Sequence, residues 1–65
     1  MDWRTFYQLR AGDIVRHKRT RVYWVVTRVD QDSISLTELL DAGRDGNFTE
    51  PEEWEFVRRP SRDTR

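Results

Sequence analysis

Hydrophobic and polar residues alternate along most of the chain, with apolar side chains at every second position in several short runs. This period of two is typical of β-strands with one buried face. The strongest run covers residues 21–29, where β-branched and aromatic residues dominate and favour strand structure. Because apolar residues occupy both of its faces, we expect a central, bent strand there. Further strands are predicted over 14–18, from residue 34 onward, over 48–49 and over 55–58.

Turn residues separate these runs. Residues 30–33 (Asp-Gln-Asp-Ser) predict a four-residue hairpin turn, and residues 41–47, with two glycines, predict the main loop. In the third strand, Ile34 and Leu36 are expected to face inward, with Leu39 as a further candidate. Pro51, followed by two glutamates, is typical of a single 3-10 turn before the last strand.

Residues 1–8 predict a short helical turn in front of the strands. Asp2 suits the N-cap position, and Trp3, Phe6 and Tyr7 share one helical face. Since so short a turn persists only when its aromatic face docks on the rest of the domain, we expect it to cap one open end of the fold. Residues 9–58 form the predicted domain, and residues 59–65 are expected to be a flexible basic tail.

The order of elements is strand, hairpin, strand, loop, strand, 3-10 turn and short strand. We therefore predict an all-β fold, a small five-stranded SH3-like barrel with a short N-terminal helical turn and a 3-10 turn before the last strand. Closing five short strands into a barrel removes exposed sheet edges, which suits a small chain. The alternative is an open sheet of three or four strands with the N-terminal turn packed on it.

Composition limits what can stabilise this fold. The 65 residues include no cysteine and one histidine, which excludes disulfides and leaves no convincing set of zinc ligands. We therefore expect the three Trp, three Phe and two Tyr to supply the core. No apolar run reaches the length of a membrane span, and the first residues lack the order of a signal peptide. We expect a cytoplasmic protein with no membrane association, no metal and no cofactor.

The net charge is zero, but the charges are segregated along the chain. Residues 1–29 hold seven Lys/Arg and two Asp, residues 30–57 hold nine Asp/Glu and one Arg, and residues 58–65 hold four Arg and one Asp. Because a small barrel interleaves distant segments, this pattern predicts cross-strand charge pairing on a solvated surface. The same segregation could orient a partner protein.

Part of the chain resembles a known family. Residues 9–18 (Leu-Arg-Ala-Gly-Asp-Ile-Val-Arg-His-Lys), followed by Tyr-Trp-Val-Val at 23–26 and by Val29, resemble the opening of small SH3-like barrels of the KOW and Tudor-like type. They are also similar to tiny phage- and plasmid-encoded barrels. Residues 54–58 resemble the segment that closes such barrels. The resemblance covers residues 9–58 and implies binding to RNA, DNA, peptides or protein subunits. The chain departs from the KOW signature at 30–33, where a glycine-centred turn is missing.

Two sets of residues are candidate binding sites. The first is a basic run that could contact phosphates while an aromatic side chain stacks on bases; it comprises Arg16, Lys18, Arg19, Arg21 and Tyr23. Its cations could instead pair with the acidic side chains of residues 50–55. The second set could anchor a protein partner; it comprises Trp3, Tyr7 and Trp54. We expect Trp3 to be exposed and Trp24 to be core, while Trp54 is either core or the wall of a groove.

Nothing in the sequence supplies catalytic equipment. No nucleophile stands with a base and an orienting acid, and His17 is expected to be a strand residue with a satisfied hydrogen bond. We therefore expect a binding module rather than an enzyme, and its partner to be another protein. The alternative is a KOW-like barrel that binds RNA or DNA through residues 16–21.

Overall fold

A computed structural model describes residues 1–60 of the chain. Its elements follow the alternating runs of the sequence, with turns at the polar and glycine-containing segments. They are one short helix, α1 (Trp3–Phe6), and five strands, β1 (Ile14–His17), β2 (Tyr23–Val29), β3 (Ile34–Glu38), β4 (Asp45–Phe48) and β5 (Trp54–Arg58).

The five strands form one antiparallel sheet in the order β4-β3-β2-β1-β5. Consecutive strands are neighbours, except that β5 crosses back to pair with β1. Hydrogen bonds do not close the sheet, so β4 and β5 are its two edges. The five antiparallel strands and the short N-terminal helix confirm the predicted fold class.

The bend of the sheet arises from two irregularities in strand pairing. The register of β2 on β3 shifts between Val26 and Arg28, and the register of β1 on β5 shifts between Ile14 and Val15. An extra residue in one strand bends it and increases its twist. Bulges of this kind curve a sheet over its core. β2 is the central strand of the five, as the apolar pattern of residues 21–29 predicts.

Directly opposed residues of antiparallel strands share a face, and the apolar pairs stack on the inner one. Val26 opposes Leu36, and Ile34 opposes Phe48. The buried core residues are Phe6, Leu9, Val15, Val26, Ile34, Leu36, Phe48 and Trp54, with Met1 and Trp24 partly buried against them.

The N-terminal turn docks on this core. The Asp2 carboxylate accepts the amide N–H of Thr5 at 2.9 Å, the bond of an N-cap. Phe6 is buried, and its ring meets the Phe48 ring edge-on with centroids 5.6 Å apart. The amino group of Met1 also donates to the carbonyl oxygens of Pro51 and Trp54. Packing against the strands thus holds a helix too short to persist alone.

Two local predictions are wrong. Leu39 does not face inward: β3 ends at Glu38, and Leu39 is exposed. With a period of two from Ile34, the third inward position is Glu38, which opposes Trp24. Residues 45–47, predicted as loop, instead belong to β4. The segment before β5 has the hydrogen-bond spacing of a 3-10 turn, since the Trp54 amide donates to the Pro51 carbonyl at 3.0 Å.

A buried carboxylate, that of Asp13, links the segment after β5 to the turn before β1. Asp13 is 1% exposed, and it accepts hydrogen bonds from Arg59 Nε at 2.8 Å and Nη2 at 3.1 Å. It also accepts the amide N–H of Arg10 at 2.9 Å. Burial opposes the charged form of Asp13, but these hydrogen bonds outweigh it and hold the pKa of the carboxyl below its usual range.

Backbone bonds at the same turn reach the central strand. The Gly12 amide donates to the Val26 carbonyl at 2.7 Å, and the Val26 amide donates to the Asp13 carbonyl at 2.8 Å. Gly12 has a φ of 100°, which glycine adopts without steric cost. Arg59, predicted as the first residue of a tail, is therefore bonded to the sheet. Residues 61–65 of that predicted tail lie outside the described residues.

We expect Asp13→Asn to lower the free energy of unfolding by about 2 kcal/mol at pH 7, because the Arg59 fork then faces an uncharged amide. The folded-state pKa of Asp13 lies below its unfolded value of about 3.9. Its stabilisation is therefore complete above that value and is lost as the pH falls through the folded-state pKa. Urea unfolding followed by tryptophan fluorescence should show the gap between wild type and variant narrowing below about pH 4.

The matched control is Asp30→Asn, which removes an exposed carboxylate paired with Arg28. It should change stability little at either pH, as exposed ion pairs do. A loss for Asp13→Asn that is the same at pH 7 and pH 3, or no greater than the loss for Asp30→Asn, would contradict the assigned role of Asp13.

Candidate functional site

The inner face of the sheet carries a pocket at the end where β1 stops. There His17 opposes Trp54 across the β1–β5 pair, and Val15 opposes Trp24 across the β1–β2 pair. We call this the aromatic pocket. It has a volume of about 220 Å³ and is lined by His17, Thr20, Val22, Trp24, Leu36, Arg44, Gly46, Asn47 and Trp54.

A glycine in β4 makes room for one wall of the aromatic pocket. Gly46 opposes Leu36 on the inner face. A Cβ built on Gly46 would lie 3.3 and 3.4 Å from two carbons of the Trp24 indole. The indole therefore lies directly against the β4 backbone, and no β4 side chain at this position fills the space beside it.

The opposite wall is held by aromatic packing. The Trp54 indole stacks on Phe48, with ring centroids 4.6 Å apart and planes 19° apart. Its other neighbours meet it edge-on, His17 at 4.8 Å and Trp24 at 6.4 Å. Trp54 is 9% exposed, so it is at once a core residue and a wall of the aromatic pocket. Both expectations for Trp54 describe part of what the structure shows.

His17 fixes the loop that forms the rim. Its Nδ1 accepts the amide N–H groups of Arg19 at 3.2 Å and Thr20 at 3.3 Å. A nitrogen that accepts hydrogen bonds carries no proton, so we assign the proton of the neutral ring to Nε2. Nε2 lies 3.3 Å from a Glu53 carboxylate oxygen. His17 is thus a strand residue with satisfied hydrogen bonds, as expected.

Two depressions with different charges share Trp54 as a lining residue. Arg44 is the charged residue among the lining of the aromatic pocket, and its Nε lies 3.4 Å from the mostly buried carboxylate of Glu38. A second depression of about 460 Å³ is lined by Phe48, Thr49, Glu50, Glu52, Glu53 and Trp54. We call this second depression the acidic shelf.

The predicted basic set does not act as one group. Arg16 donates from Nη2 to a Glu55 carboxylate oxygen at 2.5 Å and lies over the Tyr23 ring, 5.6 Å from its centroid. The hydrogen bond from Arg16 lowers the pKa of Glu55. Arg16, Tyr23 and Glu55 therefore form a paired cluster on the outer face.

The other three cations of that set lie elsewhere. Lys18, Arg19 and Arg21 flank Thr20 in the β1–β2 loop and are exposed. Within residues 1–60 none of their side chains forms an ion pair closer than 4 Å, although Arg21 and Lys18 contribute to the lowered pKa of Glu55. We call these three residues the basic loop.

The predicted protein-contact set is also divided. Trp3 and Tyr7 are 44% and 72% exposed and lie together on one face of the N-terminal helical turn, with ring centroids 5.7 Å apart. Trp54 lies in the aromatic pocket. Sequence reasoning missed Trp24, Gly46 and Arg44 as pocket residues. Gly46 could have been found from its spacing to Phe48, which places both residues on one strand face.

Comparisons with known proteins and searches for standard sites add little to this geometry. No protein-family model, curated protein or solved structure matches the chain significantly. Within residues 1–60, no three His, Asp or Glu side chains are grouped so that they could hold a metal ion. Over the same residues no helix combines the length and apolar character needed to cross a bilayer. The aromatic pocket and its surroundings are therefore the features that bear on function.

We expect Gly46→Ala to push the Trp24 indole into the aromatic pocket, because the new Cβ is closer than ordinary van der Waals contact allows. The fold should be retained at a cost of about 1 kcal/mol. The readout is urea unfolding together with the NMR shifts of the Trp24 indole. Gly43→Ala is the matched control, since its nearest neighbour would be an Asp41 carboxylate oxygen at 3.6 Å. Equal effects of the two substitutions would contradict the contact between Gly46 and Trp24.

Proposed function

We propose that this chain is a non-enzymatic protein-interaction module that holds one side chain of its partner in the aromatic pocket. The observation that carries the proposal is the pocket itself, an apolar recess with two indole walls that is open in the free protein. Trp and other aromatic side chains in such recesses are the usual centres of binding energy at protein interfaces.

The size of the aromatic pocket favours a side chain over a small-molecule substrate. Its volume of about 220 Å³ is below the range of about 300–1,000 Å³ that is usual for ligand and cofactor sites. A recess of this size accommodates one anchoring group, while the rest of the partner lies on the surrounding surface. The stacked Phe48 and Trp54 rings hold one wall in place, which limits the entropy lost on binding.

Further aromatic surface is available on the N-terminal helix. Trp3 and Tyr7 expose large parts of their rings, and such side chains are enriched at protein interfaces. We propose them as a second contact area for the same class of partner.

We also propose that the five-stranded sheet is an SH3-like barrel. The order β4-β3-β2-β1-β5, a bent β2 and a single turn before β5 support an SH3-like barrel, and barrels of this kind are used widely for binding. A chain without cysteine fits the reducing cytoplasm, which we propose as its compartment.

Nucleic-acid binding is the second candidate, and the basic loop favours it. Three exposed cations beside an aromatic pocket could hold phosphates while a base enters the pocket. We rank it lower because Arg16 is bonded to Glu55 and because Glu53 borders the His17 wall. These carboxylates would repel a phosphate backbone that runs past the pocket.

The test is selection of random twelve-residue peptides on the immobilised protein, with counter-selection on Trp24→Ala. We expect peptides that bind wild type, fail on Trp24→Ala and shift the Gly46 and Asn47 amides in NMR spectra. Leu40→Ala is the control, because Leu40 is 90% exposed and lies outside both proposed contact areas. Since Trp24→Ala removes a partly buried indole, its fold is checked by circular dichroism, and Gly46→Ala serves as a second counter-selection variant.

Two results would overturn the proposal. One is a selection that enriches the same peptides on wild type and on both pocket variants. The other is the absence of any peptide binder, together with salt-sensitive shifts at residues 16–23 on addition of oligouridylate, which would favour the nucleic-acid alternative.

A further inference from the structure

Among residues 1–60, the residues that line the aromatic pocket include one cation, Arg44, and no carboxylate, although Glu38 and Glu53 pair with the lining residues Arg44 and His17. The apolar lining of the pocket is interrupted only by polar residues at the rim, which are His17, Thr20, Arg44 and Asn47. Arg44 is two-thirds exposed, so much of its guanidinium faces solvent. Glu50, Glu52 and Glu53 line the acidic shelf, and a Glu53 carboxylate oxygen also lies 3.3 Å from His17 Nε2. A group that enters the aromatic pocket therefore meets Arg44 as the cation of its lining.

The basic loop adjoins the aromatic pocket, although Lys18 and Arg21 also lie near the Glu55 carboxylate. Thr20 lines the pocket, and Lys18, Arg19 and Arg21 are its neighbours along the chain. The Arg19 and Thr20 amides donate hydrogen bonds to His17 Nδ1, which restrains the loop. The cations are therefore presented by an ordered loop, which lowers the entropy cost of using them to bind.

Arg21 adopts an uncommon backbone conformation. Its φ is 65°, in the left-handed region where glycine or asparagine is normal and a residue with a long side chain is strained. The Arg21 amide donates to the His17 carbonyl at 2.8 Å, so the turn itself requires this geometry but not an arginine. A glycine would satisfy the turn with less strain. The arginine at this position is an independent reason to look for a function of the basic loop.

From these observations we propose that the partner of the aromatic pocket is an acidic peptide segment, in which a bulky apolar side chain is flanked by Asp or Glu. The apolar side chain enters the recess that Trp24 and Trp54 line. The flanking carboxylates bind Arg44 and the basic loop through charge-assisted hydrogen bonds. This inference rests on the proposed function and adds the chemistry of the partner to it.

An acidic peptide suits this surface better than a nucleic acid. The carboxylates of Glu53 and Glu55 lie close to the basic loop, and a nucleic acid carries a negative charge at every nucleotide. A peptide carries its carboxylates at chosen positions and can leave the neighbouring positions uncharged. It can therefore place negative charge over Arg44 and Arg19 without placing it over Glu53.

The test compares three synthetic peptides that share a central tryptophan and differ in four flanking residues, which are Glu, Gln or Lys. Binding is measured by NMR titration of the whole chain at about 50 mM and about 500 mM salt. We expect the Glu-flanked peptide to bind at least about fivefold more tightly than the Gln-flanked peptide at low salt. The Lys-flanked peptide should be weakest, and high salt should reduce the difference.

Each outcome supports or overturns the acidic partner. A fourth ligand, oligouridylate, shows whether a failure also affects the proposed function. Equal binding by the three peptides, or tightest binding by the Lys-flanked one, overturns the acidic partner but leaves the protein-interaction module standing. If only oligouridylate binds, both proposals fail. If none of the four ligands binds, the acidic partner is overturned, and the proposed function is decided by the peptide selection.

Charge variants test the rim directly. Arg44→Gln and Arg19→Gln should each weaken the Glu-flanked peptide by up to about fivefold and leave the Gln-flanked peptide unchanged. The matched control is Arg28→Gln, because Arg28 lies toward the other end of β2 and pairs with Asp30. An equal loss in the control would show a general charge effect and contradict a specific rim.

Arg21→Gly separates binding from stability. It should raise the urea midpoint, because glycine removes the strain of the left-handed backbone, and it should weaken the Glu-flanked peptide. Arg21→Lys keeps the charge and should retain most of the binding. A variant Arg21→Gly that binds as tightly as wild type would remove Arg21 from the proposed rim.

Discussion

The hydrogen-bonded pair of Asp13 and Arg59 is the constraint on which the arrangement of the sheet depends. The Asp13 carboxylate is buried, and a buried charge is tolerated only when it is paired and hydrogen-bonded. Arg59 meets this need and also donates to the Gln8 carbonyl at 2.9 Å. The pair therefore ties the chain that leaves β5 to the turn that enters β1. With one end of the β1–β5 pair fixed, the register that follows places His17 opposite Trp54, and this contact forms a wall of the aromatic pocket.

The aromatic pocket reflects how a very small chain fills its interior. A domain of this size has few apolar residues and buries only about 60% of the surface that its unfolded chain exposes. Here two indoles line one end of the inner face, and Gly46 lets the Trp24 indole lie directly against the β4 backbone. The shortage of apolar residues that limits core packing therefore also leaves a preformed recess. The walls of the recess are aromatic rings that pack against their neighbours, so the recess does not depend on a loop to hold it open.

The charge segregation of the sequence is resolved into two parts by the fold. Some of it becomes pairing across strands, as between Arg16 and Glu55, which the sequence pattern predicts. The rest lies near the aromatic pocket, as Arg44 and the basic loop, and in the acidic shelf, which shares Trp54 with the pocket. The net charge is zero, yet positive and negative side chains are separated around the aromatic pocket. Such a separation of charge can orient a charged partner.

Periodicity was enough to predict the five strands, the N-terminal turn and its N-cap at Asp2, because these depend on local residue spacing. The start of β4 was not predictable in this way. Asp45, Gly46 and Asn47 have the local preferences of a loop, and only the long-range contact with Trp24 makes a glycine suitable in a strand. The pocket residues Trp24 and Arg44 were missed for the same reason, since they meet only after β4 pairs with β3. Glu38 was not predicted as the third inward position of β3, because a charged residue at an inward position does not fit the hydrophobic pattern.

The most direct test of the account is the proton NMR shift of the two Gly46 α-protons in the free protein. They lie close to the six-membered ring of the Trp24 indole, so ring currents should move at least one of them well away from the position of an ordinary glycine. Binding of an anchoring side chain in the aromatic pocket should then change that shift. Gly46 α-protons at ordinary positions, and unmoved by a bound peptide, would show that the pocket does not have the form or the role assigned to it.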